Sequence, residues 1–267
     1  MDYNKILELV FQAKNIIFSV ELDAKQKSNE FDFVTAVDTG ISEFLKDELK
    51  KVFPDVGFMT EEESEHTVYD KTFILDPIDG TTNLIYGYKK SSISLAYAEH
   101  GKVLAGFVFN PFDGELFFSI KGRGAHFYNA LDGIDELLKI GVENYTDNLL
   151  KVSDRPLRRA LIDFGANSSH KELAEETFER ARRVFEACLD LRRNCSTALV
   201  LCYIASGRMD GYFEKIIKPW DYAAGMLILD EAGGQSSDWQ GKDLTLDKEG
   251  TIICSNGIFH DQLKALM

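Results

Sequence analysis

Two carboxylates three positions apart, Asp76 and Asp79, stand in the run DPIDGTTN at residues 76–83, directly after the apolar stretch KTFIL. Pro77 fixes its φ and stiffens the turn, and Gly80 lets the chain bend sharply before the hydroxyls of Thr81 and Thr82. Such a turn aims both carboxylates at one point. If a helix starts there, the backbone N–H groups of Gly80, Thr81 and Thr82 have no intrahelical partner, the condition in which N–H groups bind phosphate. Carboxylates beside an anion cradle imply a cation between them. Taken alone, the same residues read equally as an Asp-Gly turn closing a strand. Further ligands are therefore required elsewhere, and two candidates exist: the run Glu61-Glu62-Glu63 after an apolar GFM, and Asp221 in KPWDYAAGMLILDEAGG. In isolation the first is a solvated face and the second a helix N-cap.

The elements that must position these residues follow from periodicity. Ile6, Leu9, Val10, Ala13, Ile16, Ile17 and Val20 recur at helical spacing. Ile41, Phe44, Leu45, Leu49, Val52 and Phe53 do the same, with Asp38 placed as N-cap and Pro54 closing the segment. The period then changes to two: strands are predicted over 71–76, 92–98, 102–110 and 115–120, joined as an antiparallel meander through His100-Gly101 and Asp113-Gly114. Residues 130–148 break the pattern, with a short acidic helix over 135–140, and read as an inter-domain connection or a lid. A boundary near Leu150 gives an N-terminal α+β domain (1–149) and a C-terminal α/β domain (150–267). In the second, a strand over 160–164 precedes a helix reaching about Arg192, opened by a capping box of Ser169 and Glu172. A helix over 196–206 stopped by Gly207, a strand over 211–217, a helix over 221–232 stopped by Gly233-Gly234 and a strand over 251–255 complete it.

Composition excludes several classes. With 267 residues, 45% hydrophobic and 28% charged, the chain is neither disordered nor fibrous. Its apolar runs fall far short of the roughly 18 residues that span a bilayer. The net charge of -14 repels nucleic-acid polymers, so any phosphate site must reverse the sign locally. The N-terminus has no signal-peptide core, and Cys188, Cys195, Cys202 and Cys254 are too few for a disulfide scaffold, which together predict a cytoplasmic protein. Along a helix the seven-residue spacing of three of these cysteines would separate neighbours by about 10 Å, too far for a disulfide. The five histidines, His66, His100, His126, His170 and His260, show no paired metal spacing.

GFMTEEES, DPIDGTTN and KPWDYAAG, in this order and at these separations, resemble the signature regions of the inositol monophosphatase family of metal-dependent phosphomonoesterases. FDFVTAVD, KGRGAHFYN and GRMDGYFEK add to the resemblance, which covers nearly the whole chain. It implies a layered αβαβα sandwich, a homodimer and a small-molecule phosphomonoester as partner. By the same resemblance Glu61, Asp76, Asp79 and Asp221, with the carbonyl of Ile78, bind metal. Thr81 and Asp38 activate water, Gly80 and Thr81 bind phosphate through backbone N–H groups, Asp79 and Glu214 meet the substrate's hydroxyls, and Lys27 lies near the phosphate. An all-oxygen ligand set favours Mg²⁺ over Zn²⁺, and two or three such ions would offset four carboxylates.

Three features depart from the family pattern. Thr60 replaces the glycine before the paired glutamates, which would shift Glu61 or narrow the approach. Cys195 and Thr197 replace smaller residues at the pocket floor, and the link over 130–148 is longer, able to cover the site or meet a second subunit. Trp220 is expected to pack beside the site, and Arg192-Arg193 to be basic charge near a helix C-terminus. The function expected is Mg²⁺-dependent hydrolysis of inositol 1-phosphate or a related sugar phosphate. The alternatives are fructose-1,6-bisphosphatase or 3',5'-bisphosphate nucleotidase activity, or a regulatory protein that keeps the fold.

Overall fold

The computed structural model describes residues 1–19, 24–26, 33–62 and 70–267; Lys27, Glu63 and His66 lie outside them. Helix α1 (Tyr3–Ser19), a small hairpin of β1 (Ala24–Gln26) and β2 (Phe33–Thr35), and helix α2 (Ala36–Val52) open the chain. A six-stranded sheet follows, in the spatial order β3 (Gly57–Thr60), β4 (Lys71–Asp79), β5 (Ser92–Glu99), β6 (Lys102–Asn110), β7 (Glu115–Ile120) and β8 (Ala125–Asn129). The meander is therefore wider than the sequence predicts: β3 adds a parallel edge to β4, and β8 closes the other side. The short helix α3 (Thr81–Ile85) interrupts it after β4, and α4 (Asp135–Ile140) follows it.

A second sheet has the order β10 (Asp190–Arg192), β9 (Leu161–Phe164), β11 (Gly211–Ile217), β13 (Gly250–Ser255) and β12 (Gln235–Ser237). Its β9 pairs are parallel and its β13 pairs antiparallel. Helices α5 (Ala174–Ala187), α6 (Thr197–Ala205), α7 (Pro219–Glu231) and α8 (His260–Lys264) accompany it.

Side-chain parity sets the layers, because successive strand residues face opposite ways. Phe73 and Leu75 of β4 pack with α1 and α2 through Leu7, Val10, Ile41 and Leu45. Ile74, between them, joins the opposite cluster with Leu201 of α6 and Leu227 of α7, which also takes Tyr212 and Ile252 from the second sheet. The far face of that sheet, with Ile162, Phe213 and Ile253, is covered by Val184 of α5 and Leu263 of α8. The result is the αβαβα sandwich expected. Covered on both sides, α7 has no polar stripe, and Trp220, Ala223, Ala224, Leu227 and Ile228 are all buried. It approaches β6 so closely that a Cβ on Gly106 would lie 2.6 Å from the carbonyl oxygen of Ala224.

Three local expectations are corrected. Helix α2 is capped by Thr35, whose hydroxyl accepts from the backbone of Val37 and Asp38; Asp38 is the third helical residue and closes a capping box. The helix expected to reach Arg192 ends at Ala187, and no side chain caps it. Leu189 donates to the carbonyl of Ala160 and residues 190–192 pair with β9, so sheet pairing overrides the helical pattern; Glu172 bonds to His170 instead of forming a cap. Finally, Ile134, Leu137, Val142 and Tyr145 enter the core beside α1, where Asn4 bridges to Leu138 and Val142. Residues 130–148 are thus packed against the first helical layer and line no part of the site cavity.

Candidate active site

The end of β4 builds the centre. Asp76 pairs across to Ser94 and Asp79 to Ser92, with the register slipping between them. The slip falls at Pro77, which has no N–H for the ladder, and it turns both carboxylates out of ordinary strand alternation. Asp76 Oδ1 accepts the N–H of Ile78 at 3.0 Å. Gly80 then takes φ +91°, a left-handed conformation open mainly to glycine, and a Cβ there would lie 2.9 Å from the carbonyl oxygen of Cys195.

Thr81, the first residue of α3, places its Oγ1 3.1 Å from both Asp38 Oδ1 and the carbonyl of Ile78. Asp38 reaches it from α2. Its Oδ2 accepts the N–H of Thr35 at 2.9 Å and the Thr35 hydroxyl, which leaves Oδ1 for Thr81. Burial pushes the Asp38 carboxyl above its ordinary range against the pull of these bonds.

Asp79 points at the start of α6. Its Oδ2 accepts from Ser196 Oγ (2.6 Å) and the N–H of Ala198 (2.7 Å), and its Oδ1 from the N–H of Thr197 (3.2 Å). Burial pushes it up to about 6, with these donors opposing. Asp221 is the third residue of α7, not its N-cap, and accepts the Lys218 N–H at 2.8 Å. Glu61 follows β3, its N–H donating to Leu75.

Burial, and then the charges of Glu61, Asp79 and Asp221, push Asp76 well above the usual carboxylate range; burial followed by Glu61 does the same to Asp221. Among the described residues no three Asp, Glu, His or Cys side chains stand close enough together to hold a metal ion as they are. An acidic set with only oxygen donors, Asp76 and Asp79 buried within it, fits a hard divalent cation such as Mg²⁺, whose charge would bring the Asp76, Asp79 and Asp221 carboxyls back down.

Glu61, Gly80, Thr81, Asp221 and Glu214 line a cavity of about 930 Å³ between the sheets. On its far wall Thr197 Oγ1 meets Tyr212 Oη at 2.9 Å, and Tyr212 Oη donates to Glu214 Oε2 at 2.5 Å. Burial raises Glu214 to about 7, with the Tyr212 bond opposing. A Cβ on Gly165 would lie 2.1 Å from the Glu214 carboxyl carbon, so that glycine leaves room for it.

The structure brings together Asp38, Glu61, Asp76, Ile78, Asp79, Gly80, Thr81, Thr197, Glu214 and Asp221, while Lys27 lies outside the described residues. Thr60 neither narrows the approach nor lines the cavity: it is buried, its hydroxyl 3.3 Å from Ser42 of α2. Trp220 packs at the cavity wall as expected. Arg193 is not at a helix end; it lines the cavity and donates to the carbonyl of Ala166 at 2.7 Å. Sequence reasoning missed Thr35, Ser196 and Tyr212. A Thr three residues before Asp38 was the available signal for the first; nothing local marks the other two.

The inositol monophosphatase family model matches residues 3–267. The chain is 35% identical over 246 residues to the Nus factor SuhB of Salmonella typhimurium, covering 91% of this chain and 85% of that one. It is 37% identical over 222 residues to inositol monophosphatase 2 of Saccharomyces cerevisiae, covering 78% and 70%. The crystal structure of the extragenic suppressor protein SuhB from Bartonella henselae superposes with a TM-score of 0.85 at 30% identity, covering 99% of this chain and 97% of that one. The chain belongs to the inositol monophosphatase family.

Proposed function

We propose that the protein hydrolyses a small phosphomonoester of a polyol or sugar, with inositol 1-phosphate the first candidate, by in-line attack of water. The observation that carries this reading is the Thr81–Asp38 hydrogen bond beside buried Asp76, whose charged neighbours are Glu61, Asp79, Asp221 and Asp38, with Glu61, Thr81 and Asp221 of this group lining the cavity. Those four side chains and the Ile78 carbonyl would hold two or three Mg²⁺, which when bound would lower the pKa of water and offset charge on the leaving oxygen.

The chain's own residues do the rest. Thr81 Oγ1 donates to buried Asp38 and keeps a lone pair for the proton of the attacking water, so the pair fixes where that water stands. The N–H groups of Gly80 and Thr81 face the phosphate at the start of α3. Glu214 and Thr197, joined through Tyr212, offer acceptors to the hydroxyls of the leaving alcohol. Fructose 1,6-bisphosphate and 3',5'-bisphosphate nucleotides would use the same wall. The name Nus factor carried by several relatives favours a second, regulatory reading; the intact carboxylate set and Thr81 weigh against loss of catalysis. All four cysteines are free, which supports a reducing, cytoplasmic setting.

The test is phosphate release with and without Mg²⁺ from inositol 1-phosphate, fructose 1,6-bisphosphate, adenosine 3',5'-bisphosphate and glycerol 2-phosphate. Metal-dependent turnover with one preferred substrate is expected. No turnover on any of them, with Mg²⁺ still bound, would turn the assignment toward the regulatory reading.

A further inference from the structure

The turn 193–198 carries Cys195, Ser196 and Thr197 into the cavity and is gripped from three directions. Asp79 holds its helical end. Asn83 of α3 holds its start, donating to the Asn194 carbonyl at 2.7 Å and to that of Lys90 at 2.7 Å. The third grip comes from the other sheet: Asp163 of β9 accepts both the backbone N–H of Asn194 (2.9 Å) and its side-chain Nδ2 (2.6 Å) on one oxygen. The second Asp163 oxygen is buried and meets no donor at good hydrogen-bond geometry, in a residue only 1% exposed.

Burial raises the Asp163 carboxyl to about 7, with its bonds from Asn194 and the backbone of Phe164 opposing, so the fold keeps a buried acid here at a cost. What it secures is a strained conformation. Cys195 sits at φ +60°, where a non-glycine residue is held only by its surroundings, and its carbonyl occupies the space that a side chain at position 80 would need.

We propose that Asp163 is a positioning residue which, through Asn194, sets the turn that shapes the leaving-group side of the cavity. The phosphate side is anchored separately, by Ser91 Oγ on the Gly80 carbonyl (2.8 Å) and by Asp38 on Thr81. Loss of Asp163 therefore loosens Cys195 and Thr197 while leaving phosphate recognition in place. The kinetic part rests on the phosphatase reading; the conformational part does not.

Cys195 supplies the probe, being exposed while Cys188, Cys202 and Cys254 are buried. The experiment measures iodoacetamide labelling of Cys195 by peptide mass spectrometry, together with KM, kcat and inhibition by inorganic phosphate, in Asp163→Ala, Asn194→Ala, their double variant and Asp163→Asn. Expected in Asp163→Ala are labelling and KM each raised about tenfold, the scale of one lost charge-assisted bond, with phosphate inhibition within about twofold of wild type. Asn194→Ala, which loses the side-chain bond but keeps the backbone N–H bond, should show a smaller rise of the same kind, the double variant should be no worse than Asp163→Ala, and Asp163→Asn, which keeps an acceptor for Asn194, should restore most of both.

Labelling unchanged in both alanine variants, or KM and phosphate inhibition rising together, would overturn the proposal. Should Asp163→Ala fail to fold, Asn194→Ala decides in its place. A wild-type protein without phosphatase activity would refute the proposed function, and the labelling arm alone would then decide whether Asp163 positions the turn.

Discussion

Asp76 is held above its ordinary pKa first by burial and then by neighbouring carboxylates, so its charge costs stability that the proposed ligand role would offset. Asp76→Asn removes the charge and keeps the shape. We expect it to abolish Mg²⁺-dependent turnover while the urea midpoint without metal holds or rises; activity within about tenfold of wild type, roughly 1.4 kcal/mol, would exclude Asp76 as a ligand. Glu214 gives a pH test. Its carboxyl, raised by burial to about 7, keeps a proton in the fold that the unfolded chain has already released. Stability contributed by that proton is therefore present at low pH and falls as pH climbs from about 4.5 to about 7. Urea midpoints across that window should decline in wild type and decline less in Glu214→Gln. An unchanged slope in the variant would show that Glu214 is not so perturbed.

At the scale of elements, Thr35 has two tasks. It caps α2, and it anchors the oxygen of Asp38 that does not face Thr81. Thr35→Ala should cost about 1 kcal/mol of stability by denaturant unfolding and also lower kcat, whereas Thr35→Ser should preserve both. A loss of stability without loss of kcat would separate cap from site. Strand β4 shows how far an element can be anticipated. Its alternation and its acidic end stand in the sequence, but the slip at Pro77 carries it three residues beyond the expected stop at Asp76, through to Asp79. The helix expected over 169–192 forms over 174–187 and stops short for a comparable reason: the last residues have a better partner in β9, and no local pattern announces a partner that distant. By contrast, 211–217 and 135–140 form as expected, because period and turn residues there agree with the packing.

Across the whole molecule, each sheet is drawn from one side of residue 150, the six-stranded one from residues 57–129 and the five-stranded one from residues 161–255. We retain a division near Leu150 as a proposal on that ground. The apolar layer of α6 and α7, however, is shared with Ile74, Val108 and Phe117 of the first sheet. Residues 150–267 expressed alone should therefore expose that layer and show no cooperative thermal transition by circular dichroism; a sharp transition would refute the dependence. A homodimer remains the family-based proposal, and light scattering that shows only monomer would dismiss it.

The sequence by itself determined the donor chemistry and most of the periodic elements, because residue type, helical period and strand alternation are local properties. It placed Asp76, Asp79 and Gly80 in one turn and made every proposed metal donor an oxygen. Tertiary structure decided which of these groups meet. Asp38 reaches Thr81 across 43 residues, and Ser196 reaches Asp79 across 117. Such bonds depend on which face of each helix the two sheets bury and on how closely the layers approach, so they arise only once the core has packed.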